Sequence, residues 1–108
     1  MDNKIRLSEA EEIRLVKYLK EELGYTQRRI SQAVKAVNRM DHSLKTELMK
    51  AIATGTIPVI VIEKLTVQDL MERLNMNMVT AFLAIDYLLR EPEEAKYILA
   101  RKKESNQR

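Results

Sequence analysis

The chain has 108 residues, of which 45% are hydrophobic and 32% charged, a composition typical of a folded protein rather than a disordered one. It contains no cysteine, which excludes a disulfide framework and cysteine zinc ligands and favours a reducing cytoplasm. No apolar run reaches the roughly 18 residues that a membrane-spanning helix needs. The net charge of +3 is too small to indicate a nucleic-acid partner by itself, so the position of the charges matters more.

A short strand and a helix are the first predicted elements. Residues 2–7 alternate polar and apolar side chains, which is the period of a strand. Ser8 and Glu11 form a capping-box pattern, because the serine can accept from the third backbone N–H while the glutamate reaches back. They predict a first helix over about residues 9–22, which Gly24 ends as the left-handed residue. The apolar side chains expected on its buried face are Ile13, Leu15, Val16, Leu19 and Leu23.

Two more helices are predicted in the first half of the chain. Thr26 caps a second helix that runs to about Asn38, and Asp41 or Ser43 caps a third over about residues 43–53, stopped by Gly55. The apolar residues expected to face inward from the second helix are Ile30, Ala33, Val34 and Val37.

The segment TIPVIVIEKL predicts a short buried strand. Pro58 forces Ile57 into an extended conformation, and the apolar residues at 57 and 59–62 are mostly β-branched. A strand needs a partner. The candidates are Lys4–Leu7 of the same chain and the same segment in a second copy.

The second half continues with three predicted helices. Thr66 and Asp69 begin a fourth, to about residue 74, and a turn at 75–77 leads into a fifth over Met78–Leu89. Pro92 opens a sixth over roughly 92–102, followed by a disordered tail at 103–108. The fold class is therefore mostly α: a small, single helical domain with one or two short β-strands. Residues 1–55 have the order of elements of a helix-turn-helix, and residues 56–102 form a core or dimerisation region.

The fifth helix is apolar on all sides. Ten of its twelve residues are apolar and none is basic. Such a helix belongs in a core or a subunit interface, because a helix that reads DNA must present hydrogen-bond donors. Asp86 is its only charge, and Arg90 is placed four residues on to pair with it.

Residues that commonly carry catalysis or bind metals form no recognisable cluster. His42 is the only histidine, and its place beside Asp41 at a helix start suits a capping neighbour. No group has metal-ligand spacing, and there is neither a nucleophile–base arrangement nor a glycine-rich phosphate loop. We therefore expect a protein that is not an enzyme and holds no metal or cofactor. Met71, Met76 and Met78 are expected to fill gaps in the core rather than form a binding surface.

The second helix is locally basic. Between Glu22 and Asp41 there are four positive side chains and no negative one. Arginine and glutamine can make paired hydrogen bonds to guanine and adenine in the major groove, whereas lysine and threonine suit phosphates. The residues expected on the exposed face are Thr26, Gln27, Arg28, Gln32, Lys35 and Arg39, with Arg29, Ser31 and Asn38 at its margins. Alternatively, this is an ordinary solvated helix for which Gly24 is only a C-cap.

The span 16–35, VKYLKEELGYTQRRISQAVK, resembles the helix-turn-helix of phage repressors of the Cro type. The residues that carry the resemblance are Leu19, Leu23, Gly24, Tyr25, Ile30 and Ala33. The opening MDNKIRLSE also looks like the strand that leads into the first helix of such proteins. Residues 41–108 do not follow the pattern. Lys20 stands where these motifs carry a small residue, and residues 9–22 form one helix where the family has two.

The resemblance implies binding to double-stranded DNA. The predicted function is that of a small transcriptional regulator of phage, plasmid or bacterial type, acting as a cytoplasmic homodimer. Gln27, Arg28 and Gln32 would lie nearest the bases, and Arg29, Lys35 and Arg39 nearer the phosphates. The alternative is a helical protein–protein interaction module, in which the fifth helix and the methionines bind a partner and the basic helix is only solvated.

Overall fold

The computed structural model describes residues 6–62 and 64–91, together with residues 93 and 97. These residues are mostly helical, as the sequence predicts. The chain divides into two compact units, Met1–Thr56 and Ile57–Arg108. The described elements are, in chain order, α1 (Glu9–Glu21), α2 (Gln27–Asn38), α3 (His42–Thr54), β1 (Val61–Ile62), β2 (Leu65–Thr66), α4 (Val67–Arg73) and α5 (Met78–Arg90).

The helices of the first unit begin and end where local sequence signals predict. The Ser8 hydroxyl accepts from the Glu11 N–H at 3.1 Å, and the Glu11 carboxylate accepts from the Ser8 N–H at 2.9 Å, so the capping box is complete. The Asp41 carboxylate caps α3, and Gly55 ends that helix in the left-handed region with a φ of 75°. α1 is unbroken.

The core of the first unit forms where α1 packs against α2 and α3. Its buried side chains include Leu15, Leu19, Ile30, Ala33, Val37, Leu44 and Leu48. The expectation that Ile13 is buried is wrong, because its side chain is 64% exposed. Ile13 precedes Leu15 by two positions, about 200° around a helix, and therefore lies on the opposite face. Val16, Leu23 and Val34 are half-buried.

The second unit begins with a two-stranded hairpin, which corrects the predicted strand in three respects. Of the predicted strand residues 57–62, only Val61–Ile62 form a strand. Its partner is Leu65–Thr66 rather than Lys4–Leu7, of which only residues 6 and 7 are described and neither is in a strand. The segment is not buried, since Val59 is 86% exposed. The physical reason is that Thr66 caps α4, so β2 is too short to pair with residues before β1.

α4 and α5 complete the described part of the second unit. Thr66 and Asp69 form a second capping box, and the Asn77 side chain caps α5 by accepting from the Thr80 N–H at 2.9 Å. α5 packs against α4 and β1, which buries seven of its residues. The predicted pair of Asp86 and Arg90 is confirmed at 2.7 Å.

Two predicted segments fall largely or wholly outside the described residues. These are the sixth helix over 92–102, of which the structure describes only the helical residues 93 and 97, and the tail at 103–108. In the part of the chain that the structure describes, no helix combines the length and the apolar character that crossing a membrane requires.

Candidate functional site

The turn between α1 and α2 is built from a left-handed residue and long-range backbone hydrogen bonds. Gly24 has a φ of 67°, a conformation that L side chains rarely adopt. The Tyr25 N–H donates to the Leu19 carbonyl at 2.9 Å, which folds the chain back over the end of α1. The Thr26 hydroxyl then accepts from the Arg29 N–H at 3.3 Å and starts α2. The direction of α2 is therefore set by local contacts between residues 19 and 29.

The exposed face of α2 carries the predicted site residues. All seven are exposed: Thr26, Gln27, Arg28, Arg29, Gln32, Lys35 and Arg39. Ile30, Ala33 and Val37 point into the core of the first unit. The helix is thus divided into a buried apolar side and a polar, basic side, an arrangement that presents charged side chains to a partner without disturbing the fold.

One arginine of this face is held in place by an aromatic ring. The guanidinium carbon of Arg29 lies 3.9 Å from the centre of the Tyr25 ring, within the range of a cation–π interaction. Tyr25 lies near Tyr18, and burial, followed by the effects of Glu22 and Tyr25, raises the pKa of the Tyr18 hydroxyl above its ordinary value. Tyr25, two residues before α2, thus orients a basic side chain of the first turn of that helix.

The first turn of α2 carries charges of the sign that a helix N-terminus disfavours. Unpaired N–H groups give this end of a helix a partial positive charge, which acidic residues complement. α1 follows that rule with Glu9, Glu11 and Glu12, whereas α2 has no acid there and carries Arg28 and Arg29 instead. The third residue of α2, which is glutamate or glutamine in a capping box, is Arg29. Local helix stability therefore does not explain these two residues.

A buried polar network fixes the other end of α2, and sequence patterns do not predict it. Asn38, expected at the margin of the exposed face, is only 7% exposed. Its side-chain oxygen accepts from the Leu7 N–H, and its backbone carbonyl accepts from the Lys45 ammonium, each at 2.9 Å. Lys45 is itself only 4% exposed. Its ammonium lies at the C-terminal end of α2, where a positive charge is favoured. An asparagine and a lysine within polar sequence give no pattern that distinguishes them from exposed residues.

The net positive charge of the protein comes from the first unit. Met1–Thr56 contains 11 of the 19 Lys and Arg residues and 8 of the 16 Asp and Glu residues, so its net charge is +3. Ile57–Arg108 contains the remaining 8 basic and 8 acidic residues and is neutral. The acids of the first unit lie outside the stretch from Leu23 to Met40. Among the described residues, no cluster of three or more His, Cys, Asp or Glu side chains is arranged to hold a metal ion.

The second unit repeats the turn but not the chemistry. The Met76 N–H donates to the Leu70 carbonyl at 3.4 Å, and Asn75, before it, has a φ of 57°. These features match Tyr25, Leu19 and Gly24 of the first turn. The helix that follows, α5, buries seven of its residues, Met78 among them, and has no basic residue before Arg90. The two remaining methionines expected in the core, Met71 and Met76, are half-buried.

Comparison of the chain with protein-family models, with curated proteins and with solved structures finds no match.

Proposed function

We propose that the protein is a sequence-specific, double-stranded DNA-binding protein that acts as a homodimer, a small transcriptional regulator of phage, plasmid or bacterial type. Its first unit resembles the helix-turn-helix of Cro-type phage repressors, and α2 is the helix that enters the major groove. Two copies would present two such helices to two half-sites, so the preferred site would be close to palindromic.

The observation that carries the proposal is the exposed face of α2. It combines two arginines in the first turn, where they oppose the helix dipole, with two exposed glutamines and further basic residues toward the other end. Phosphates would supply the negative charge that this helix end lacks, since a helix N-terminus is a ready anion site. The two arginines would lower the stability of the free protein, and DNA phosphates would offset that loss in the complex.

The side chains of α2 would divide by role. Gln27, Arg28 and Gln32 would read base edges, and each good two-point contact is worth about 1–3 kcal/mol of discrimination. Arg29, Lys35 and Arg39 would contact phosphates, together with the hydroxyl of Thr26 that already caps the helix. The first group would set the preferred sequence, and the second would set the overall affinity.

The alternative, a helical interaction module, retains less surface than the sequence suggests. It relies on the apolar α5 and on a cluster of methionines. Most of α5 is used within the chain, because Phe82, Ile85 and Leu88 are almost completely buried. Its exposed apolar residues are Tyr87 and Leu89. We therefore favour DNA as the partner of the basic helix.

A double charge reversal tests the proposal. Arg28→Glu with Arg29→Glu places two negative charges at the N-terminus of α2 and leaves the buried face unchanged. We expect no measurable binding to duplex DNA at low salt, while the melting temperature stays the same or rises, because Glu at position 29 could complete a capping box with Thr26. Fluorescence anisotropy with random and selected duplexes measures the binding.

A matched control reverses the same amount of charge elsewhere in the first unit. Lys17 and Lys20 are exposed on α1. Replacing both with glutamate changes the net charge equally, so binding should weaken by far less than in the α2 variant. If the parent protein binds no duplex at low salt, or if the α2 variant binds as well as the parent, the proposed function is wrong.

A further inference from the structure

We infer that two copies of the protein join through the segment from Ile57 to Val61, as antiparallel edge strands whose two-fold axis passes through Val59. The inference specifies the dimer surface, and it rests on the homodimer part of the proposed function rather than on DNA binding. Its starting point is the hairpin of the second unit, where Val61 lies opposite Thr66 and Ile62 opposite Leu65 in an antiparallel pair.

The hydrogen-bonding direction of β1 follows from the cap of α4. Antiparallel partners alternate between pairs that exchange backbone hydrogen bonds and pairs that do not. The Thr66 N–H donates to the Asp69 carboxylate at 3.1 Å, so Thr66 and Val61 form a pair that does not exchange them. The backbone N–H and C=O of Val61 therefore point away from β2, toward the opposite edge of β1. Among the described residues, no backbone hydrogen bond outside the hairpin involves residues 57, 59 or 61, so we call this the open edge.

The same direction continues along the segment before β1. The proposed pairing extends the strand of β1 back to Ile57. In an extended chain every second residue points the same way, so Ile57 and Val59 would then share the orientation of Val61. Residues 57–60 adopt neither helix nor turn, and β2 is too short to reach them. Pro58 alternates with these residues, so its nitrogen, which carries no hydrogen, faces the β2 side. The proline consequently removes no hydrogen bond at the open edge.

The side chains along this edge are apolar and exposed. Ile57 is 37% exposed, Val59 86% and Val61 56%. The segment from Thr56 to Ile62 contains no charged residue, although charged side chains are a common protection of edge strands. An open edge of this kind is a template for another strand.

A second copy fits the edge because the segment is self-complementary. With the axis at Val59, that residue lies opposite Val59 of the partner subunit, and Ile57 lies opposite Val61 of the partner subunit. Each pair joins two β-branched side chains, the combination that packs well across strands. The register brings no like charges together, and every backbone group on the open edge from 57 to 61 meets a complementary one.

Sedimentation of the full chain at about 10–100 μM tests the interface. Wild type should be a dimer, and Val59→Asp should be a monomer, because the axis places the two introduced carboxylates directly opposite each other. Ile13→Asp is the matched control, since Ile13 is an exposed apolar residue of α1 and should leave the dimer intact. Circular dichroism should be the same for all three proteins. A monomeric wild type, or a dimeric Val59→Asp, would overturn the inference.

Single cysteines test the register, because the chain has none of its own. Facing α-carbons at a hydrogen-bonded pair are about 5.5 Å apart, within reach of a disulfide. Val59→Cys should therefore oxidise to a covalent dimer. Ile57→Cys alone should not, since the two copies of residue 57 would lie about 13 Å apart along the strand. A mixture of Ile57→Cys and Val61→Cys proteins should cross-link to each other.

The outcomes separate this inference from the proposed function. Cross-linking of Ile57→Cys as readily as Val59→Cys would show that the strands have no fixed register and would overturn the axis at Val59. A dimer that cross-links at Val59 but binds no duplex would support the inference and remove DNA binding. A monomer that binds duplex DNA would support DNA binding and overturn the proposed dimer interface.

Discussion

Arg29 shows how one contact in the free protein can orient a side chain that we propose to contact DNA. Its guanidinium lies over the Tyr25 ring at 3.9 Å, so part of its side-chain entropy is already lost before any partner arrives. An exposed cation–π contact is worth about 0.5–1 kcal/mol. We predict that Tyr25→Leu weakens DNA binding by about two- to fivefold at fixed salt, while Tyr25→Phe, which keeps the ring, retains most of the affinity.

A double-mutant cycle distinguishes positioning from a general loss of structure. If Tyr25 acts through Arg29, then Tyr25→Leu should have no further effect on affinity once Arg29 is alanine. Additive effects would contradict the positioning role, as would a Tyr25→Leu protein that binds as tightly as wild type.

At the scale of elements, each unit contains a turn of the same type, with a different residue at its centre. Gly24 and Asn75 both have positive φ, and a Cβ placed on Gly24 would meet nothing within 4 Å. Substitutions at Gly24 therefore report backbone strain alone. We predict that Gly24→Ala lowers the free energy of unfolding by about 1–2 kcal/mol, whereas Gly24→Asn costs clearly less because asparagine tolerates this region. Urea denaturation measures both, and equal losses would contradict the strain argument.

The helices were predictable because their signals are local. Ser8, Thr26, Asp41 and Thr66 each cap a helix through contacts within three residues, and Gly55 ends one in the left-handed region. The exposed face of α2 was predictable for a similar reason, since its apolar residues follow the period of a helix and leave the others outside.

The errors concern contacts between distant residues. Asn38 is buried because Leu7, far away in sequence, donates to its side chain, and nothing near Asn38 announces this. The apolar segment before β1 has the composition of a core strand. It has no partner strand in β2, however, because β2 ends at Thr66, where α4 begins. Hydrophobicity alone does not distinguish a strand buried within one chain from an edge open to another.

On the scale of the whole molecule, charge and apolar exposure are found in different units. The first unit carries the full net charge of +3, while the neutral second unit exposes the apolar edge around Val59. This division suits a protein in which one unit binds a polyanion and the other joins two copies. If both proposals hold, dimerisation should set how many phosphates the protein neutralises.

The salt dependence of DNA binding measures that number. Arg29, Lys35 and Arg39 give about three phosphate contacts in each copy, and each contact contributes about −0.9 to the slope of log K against log salt concentration. Wild type on a palindromic duplex should therefore show a slope of about −5, and monomeric Val59→Asp about half of that. The Ile13→Asp control, which keeps the dimer, should match wild type. A slope near −5 for Val59→Asp would show that a single copy makes all the phosphate contacts. This result would contradict the prediction that dimerisation through the apolar edge sets their number.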